Sequence, residues 1–79
     1  HFEQLGLDAT PISDDGLKHL QQLKNLGVLH LSRTPITDAG LIHLRGLTNL
    51  ADLALLETKV TAAGVAELQT ALPRCLIRF

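Results

Sequence analysis

Leucines alternate with small or polar residues in three short stretches: Gln4-Leu5-Gly6-Leu7, Val28-Leu29-His30-Leu31 and Asp52-Leu53-Ala54-Leu55. Alternation at a period of two predicts short strands, with the leucines facing a core and the intervening side chains facing away. Further along, the pattern changes period. Leu17, Leu20 and Leu23 fall on one face at helical spacing, and Leu41, Leu44 and Leu47 repeat it. Val65, Leu68 and Leu72 repeat it again, the last displaced by one residue. Ser13, Thr37 and Thr61 stand where N-caps are wanted, so helices are predicted over 14–24, 38–48 and 62–72. Asp14, Asp15 and Asp38 fall in the first turns, where the helix dipole favours negative charge. Between strand and helix, Thr10-Pro11, Thr34-Pro35 and Thr58-Lys59 predict turns. The recurring Thr is expected to point its hydroxyl at a backbone group that would otherwise be buried unpaired.

These elements recur every 24 residues. Phe2, Leu26 and Leu50 begin three units, and the first two units are identical at 12 of 24 positions, too many for chance. Ile12, Ile36 and Val60 share one phase, which predicts an apolar plug at the corner of each turn. Gly16, Gly40 and Gly64 share another. A glycine inside a helix costs about 1 kcal/mol relative to Ala. Its recurrence predicts a close approach of helix to sheet.

The first half of each unit reads L-x-x-L-x-L-x-x-T-x-I. This resembles the leucine-rich repeat pattern, with Thr where Asn or Cys usually stands. The phase T-x-I-T-D-x-G-L resembles the cysteine-containing subtype, and more closely a Thr variant common in bacterial repeat proteins. The resemblance covers residues 2–79. It implies an α/β fold, a solenoid with a short parallel β-sheet on its concave face and α-helices on its convex face. It implies one domain over 1–79, with repeats 2–25, 26–49 and 50–74 and a capping strand 75–79. In that strand 75, 77 and 79 are expected to face inward. The tail A-L-P-x-C-x-I resembles the natural C-terminus of such bacterial proteins.

Composition narrows the function. The net charge is −1 and the seven basic residues are scattered, whereas a nucleic-acid surface wants a basic stripe. There is no Trp, no Tyr and two Phe, so stacking on bases or sugars is nearly excluded. No nucleic acid is expected as a partner. No apolar run approaches the ~18 residues of a membrane span, and no signal peptide is visible. The chain begins His1-Phe2 and is expected to be a processed or excised piece, so no compartment is assigned.

Seventy-nine residues in three units sit at the lower limit for a stacked array. The first unit has no polar cap, and Phe2, Leu5 and Leu7 are expected to leave one flank bare. A bare strand edge invites pairing. Self-association through the first repeat, or a partner at this N-terminal edge, is therefore an expectation.

The inner wall is the main candidate for function. Its outward positions form columns: Gln4, Val28, Asp52; Gly6, His30, Ala54; and Asp8, Ser32, Leu56. Ala9, Arg33 and Glu57 lie just beyond. Val28, Ala54 and Leu56 give an apolar centre, with His30, Ser32, Arg33, Asp52 and Glu57 around it. An apolar middle with a polar rim is the anatomy of a protein interface. Arg33 and Glu57, as neighbours, are candidates to pair with each other.

Candidates for chemistry are thin. His19, His43 and Glu67 share one phase, but neighbouring helices are roughly 8–10 Å apart. A metal needs its ligands within about 2.2 Å, so no metal is expected. Cys75 is the single cysteine. It occupies the phase of Leu26 and Leu50, so burial as a small hydrophobe is expected. His30 with Ser32 and Asp8 or Asp52 imitates a catalytic triad, but on a flat wall without a pocket. The expectation is a non-enzymatic protein-binding module without cofactors, the C-terminal part of a larger bacterial repeat protein, binding through Val28, His30, Ser32, Arg33, Asp52, Ala54, Leu56 and Glu57, with His30, Arg33, Asp52, Leu56 and Glu57 to be mutated first. The alternatives are a structural spacer or assembly subunit, or a non-catalytic appendage of a multidomain enzyme.

Overall fold

The computed structural model describes residues 3–79. The first unit's expected start at Phe2 lies outside them. Four strands form: β1 (Glu3–Gly6), β2 (Leu26–His30), β3 (Asp52–Ala54) and β4 (Leu76–Arg78). Helices α1 (Asp14–Leu17), α2 (Asp38–Leu41) and α3 (Ala62–Ala71) lie between them. The sheet order is β1-β2-β3-β4, and every neighbouring pair is parallel. The chain is thus a mixed α/β protein, each strand joined to the next by a helical crossover.

The register follows the 24-residue period. Gln4, Val28, Asp52 and Leu76 stand in one row across the sheet; Leu5, Leu29, Leu53 and Ile77 in the next; Gly6, His30, Ala54 and Arg78 in the third. The leucine row faces the core. Leu29, Leu31, Leu53 and Leu55 are at most 1% exposed, and they join Leu17, Leu41, Leu44, Leu47, Val65, Leu68 and Leu72 from the helical side. Ile36 is fully buried at its corner, whereas Ile12 and Val60 are partly buried against the same core.

The first two helices are shorter than the 14–24 and 38–48 that spacing predicts. Each runs four residues as α and continues as one 3₁₀ turn, Lys18–Leu20 and Ile42–Leu44. The chain must return to the sheet within its period. The tighter 3₁₀ path covers about 2.0 Å per residue against 1.5 Å for an α-helix. Turns then close with Leu26 and Leu50 donating to the carbonyls of Leu23 and Leu47.

In the third unit the α form persists to Ala71, and Pro73 cannot extend it. That path uses one residue more. Cys75 donates to the Leu72 carbonyl as Leu50 does to Leu47. Leu76 then pairs at once with Asp52, so nothing occupies the place of Ala51. The extra residue is returned at that point, and β4 keeps the sheet's register.

Two expectations about inward positions are corrected. Leu23 is 37% exposed where its counterpart Leu47 is fully buried, because the first unit has a described neighbour on one side only. Phe79 is 55% exposed, whereas Cys75 is buried and Ile77 packs partly buried against the core. No helix among the described residues is long and apolar enough to cross a membrane.

The turn threonines behave as expected. Their hydroxyls donate to the carbonyls of Leu7, Leu31 and Leu55 at 2.7, 2.7 and 2.8 Å. The caps divide. Thr37 accepts from the Ala39 amide and Thr61 from the Gly64 amide, whereas the Ser13 side chain makes no cap hydrogen bond. The glycine column has a different cause from close helix–sheet approach. A Cβ on Gly40 or Gly64 would collide with the carboxylate of Asp14 or Asp38, and one on Gly16 with the Ile12 side chain. The glycines at 40 and 64 make room for an acid from the preceding unit.

Candidate functional site

The face of the sheet turned away from the leucine row carries the three columns predicted from sequence, but their residues are not equally available. Leu56 is 44% exposed, and Arg33 and Glu57 are exposed. Val28, His30 and Asp52 are half-buried. Ser32 and Ala54 are buried, at 9% and 6% exposed. They are therefore corrected from contact residues to floor. Ala54 is too short to emerge between the neighbouring rows. Ser32 is held from both sides: its amide donates to Asp8 at 2.8 Å, and its hydroxyl accepts from the Leu56 amide at 3.1 Å.

Arg33 and Glu57 stand on backbone in the left-handed region, with φ of 58° and 57°, and Ala9 shares the phase at 57°. The cause is the departure of the chain from the strand. Ala9 and Arg33 donate to the carbonyls of Ser32 and Leu56 while the backbone reverses into the turn. For a non-glycine residue this conformation costs about 1–2 kcal/mol. The Arg33 and Glu57 side chains are thrown to the rim of the face. They are not among the ion pairs of the described residues, so the expected pairing between them is not found.

Asp52 has another partner. Arg78 of β4 grips it with one nitrogen, 2.8 Å from Oδ1 and 3.0 Å from Oδ2. Beside it Leu76 is 61% exposed. The columns predicted from sequence omitted both residues. The signal was present, because the 24-residue period carried past residue 74 sets Leu76 beside Asp52 and Arg78 beside Ala54. The face thus presents Leu56 and Leu76, the neutralised Asp52–Arg78 pair, half-buried Val28 and His30, and rim charges at Arg33 and Glu57.

No hydrogen bond joins His30 to Ser32, Asp8 or Asp52 among the described residues, so the side chains of the imitated triad are not linked. Nor do any three His, Cys, Asp or Glu side chains among them gather closely enough to hold a metal ion. Cys75 is 5% exposed. Burial pushes its thiol up to about 11, and the negative charge of Asp52 adds to the rise. Such a thiol is un-ionised near neutrality, and the thiolate is the nucleophilic form. Two clefts lie elsewhere. One of about 310 Å³ runs between α2 and α3, past Ile42, Arg45 and Glu67. The other, about 240 Å³, sits under Pro73 and Arg74. Neither touches the outer face of the sheet.

Against known proteins, the chain matches no family model and no curated protein sequence.

Proposed function

We propose that this chain is a non-enzymatic leucine-rich repeat module that binds a protein through the open face of its sheet. In this reading residues 1–79 form one solenoid domain of the bacterial Thr-variant type, with the sheet as its concave wall. The reading is supported by parallel strands in chain order, spaced at the period of the leucine pattern. The functional part rests on one observation: Leu56 and Leu76 stand largely exposed beside the Asp52–Arg78 ion pair, in which each charge is met by the other.

Exposed apolar side chains within a polar rim are what a protein partner buries with gain. Arg33 and Glu57 would set orientation and association rate more than affinity.

The test is capture of a partner by the wild-type chain, followed by Leu56→Arg and Leu76→Arg. Each variant should weaken binding at least about tenfold, the loss expected when a desolvated anchor is replaced by a charge. Unchanged circular dichroism and melting temperature would show that the fold is intact. Full binding by both variants would move the contact off this face and favour a spacer or an enzyme's appendage.

A further inference from the structure

The corner where the third unit turns back to the sheet is built unlike the one before it. Between the first two units, the Asn49 carboxamide donates to the Lys24 carbonyl at 2.8 Å and ties the two return loops together. One unit on, the turn bonds match Cys75 to Leu50, so Arg74 stands in the place of Asn49. Its guanidinium makes no such tie and enters no ion pair among the described residues. Twenty-four residues after the fully buried Leu47 stands Ala71, a partly buried methyl group. The cleft of about 240 Å³ opens at this corner, lined by Thr48, Leu50, Ala71, Leu72, Arg74 and Cys75.

Its chemistry is one-sided. The leucines, Ala71 and the un-ionised Cys75 make the walls apolar. The carbonyls of Leu72 and Cys75 are already met by the Gln69 carboxamide, at 2.8 and 2.9 Å. Of the described residues that line the cleft, Arg74 alone is charged, and it is exposed. The surrounding charge has the same sign. Return loops 21–25, 45–51 and 72–75 carry Lys24, Arg45 and Arg74 and no Asp or Glu. Cations that look scattered along the chain are brought to one rim by the parallel strand order. The acids nearest this rim lie elsewhere: Asp52 is engaged by Arg78, Glu67 lines the other cleft, and Glu3 begins β1, two strands from β3.

We propose that this corner captures the C-terminal residue of a partner polypeptide, with its apolar side chain in the cleft and its carboxylate on the Arg74 guanidinium. The volume is below the roughly 300–1,000 Å³ of small-molecule pockets, which suits one side chain. A guanidinium meets a carboxylate through two parallel charge-assisted hydrogen bonds. A terminal residue carries its carboxylate on the same carbon as its side chain. The anion therefore stays at the mouth when the side chain is inside. An internal Asp or Glu bears its charge at the tip, and insertion would strand that charge among Leu50 and Leu72.

This site is separate from the open-face reading, which Leu56→Arg tests without touching the corner. The probe is acetyl-Gly-Ser-Leu with a free carboxylate, titrated into the full chain at low salt and followed by amide chemical shifts. The amides of Thr48, Arg74 and Cys75 should move saturably. The same peptide with its C-terminus amidated should bind at least about tenfold more weakly, since the charge-assisted bonds are lost. Arg74→Gln should show the same loss. Ala71→Leu should show it too, by filling the cleft while the charge remains. Lys59→Gln, which removes a cation from the opposite rim, should bind as the wild type does. Equal binding of acid and amide would overturn the carboxylate recognition, and undiminished binding by Ala71→Leu would overturn the cleft as its seat. A loss in Lys59→Gln equal to that in Arg74→Gln would reduce the effect to net charge and overturn the site. Equal binding of isocaproate, a free aliphatic acid, or of acetyl-Gly-Glu amide would overturn the polypeptide terminus as occupant. No saturable shift with the free-acid peptide would overturn the proposal outright.

Discussion

Ala9, Arg33 and Glu57 carry strain that their side chains do not relieve within the fold. Glycine adopts this conformation at no steric cost, offset by its greater freedom when unfolded. Ala9→Gly, which removes only a methyl group, should raise stability by up to about 1 kcal/mol in urea unfolding. Arg33→Gly should stabilise likewise and yet weaken partner binding, a combination that separates a contact role from a structural one. The acids make a second residue-scale prediction. The Thr61 hydroxyl, and then its amide, hold Asp38 below the ordinary carboxylate value of 3.8. A lowered folded pKa means that the contribution is present above pH 3.8 and is lost as pH falls through the folded value. Thermal melts of wild type and Asp38→Ala should therefore converge in that acid range. Cys75 works with the opposite sign. With its folded thiol at about 11 against an ordinary 9.0, its contribution is complete below pH 9 and fades between about 9 and 11. Cys75→Val should flatten that alkaline limb.

The elements were legible in sequence to different degrees, and the reasons are local. Strand positions were readable because period-two leucines facing a core leave one register open to them, as Leu29 and Leu53 show. Helix lengths were not. Leu20 and Leu44 fit an α period and a 3₁₀ period nearly equally, and the return path that shortens α1 and α2 is a demand of the whole unit. On the open face the direction of the side chains was legible and their depth was not: Leu56 is exposed and Asp52 half-buried, while Ser32 and Ala54 are buried, because alternation reports direction and not depth. The cause of the glycine column was hidden altogether, since Asp14 and Gly40 meet across units. Gly40→Ala tests it. Ala is the better helix former by about 1 kcal/mol, yet its methyl would collide with the Asp14 carboxylate and come to 3.0 Å from Leu17 Cδ1. The substitution should destabilise the wild type and cost much less in an Asp14→Ala background, a coupling that a double-mutant cycle measures.

At the scale of the whole molecule, 79 residues hold a core in which ten large side chains are less than 2% exposed. A domain of this size is stable by roughly 4–12 kcal/mol. Truncating one central leucine, as in Leu53→Ala, costs about 2–5 kcal/mol, a large share of that margin, and should be visible as a fall of many degrees in melting temperature. The third crossover has a different implication. It takes one residue more through α3 and surrenders it before Leu76, so the spacing of the sheet and the length of the outer layer are set separately. The packing side of the protein can therefore be lengthened or trimmed by evolution, or by an engineer, while the ruler that positions Asp52 against Arg78 stays unchanged.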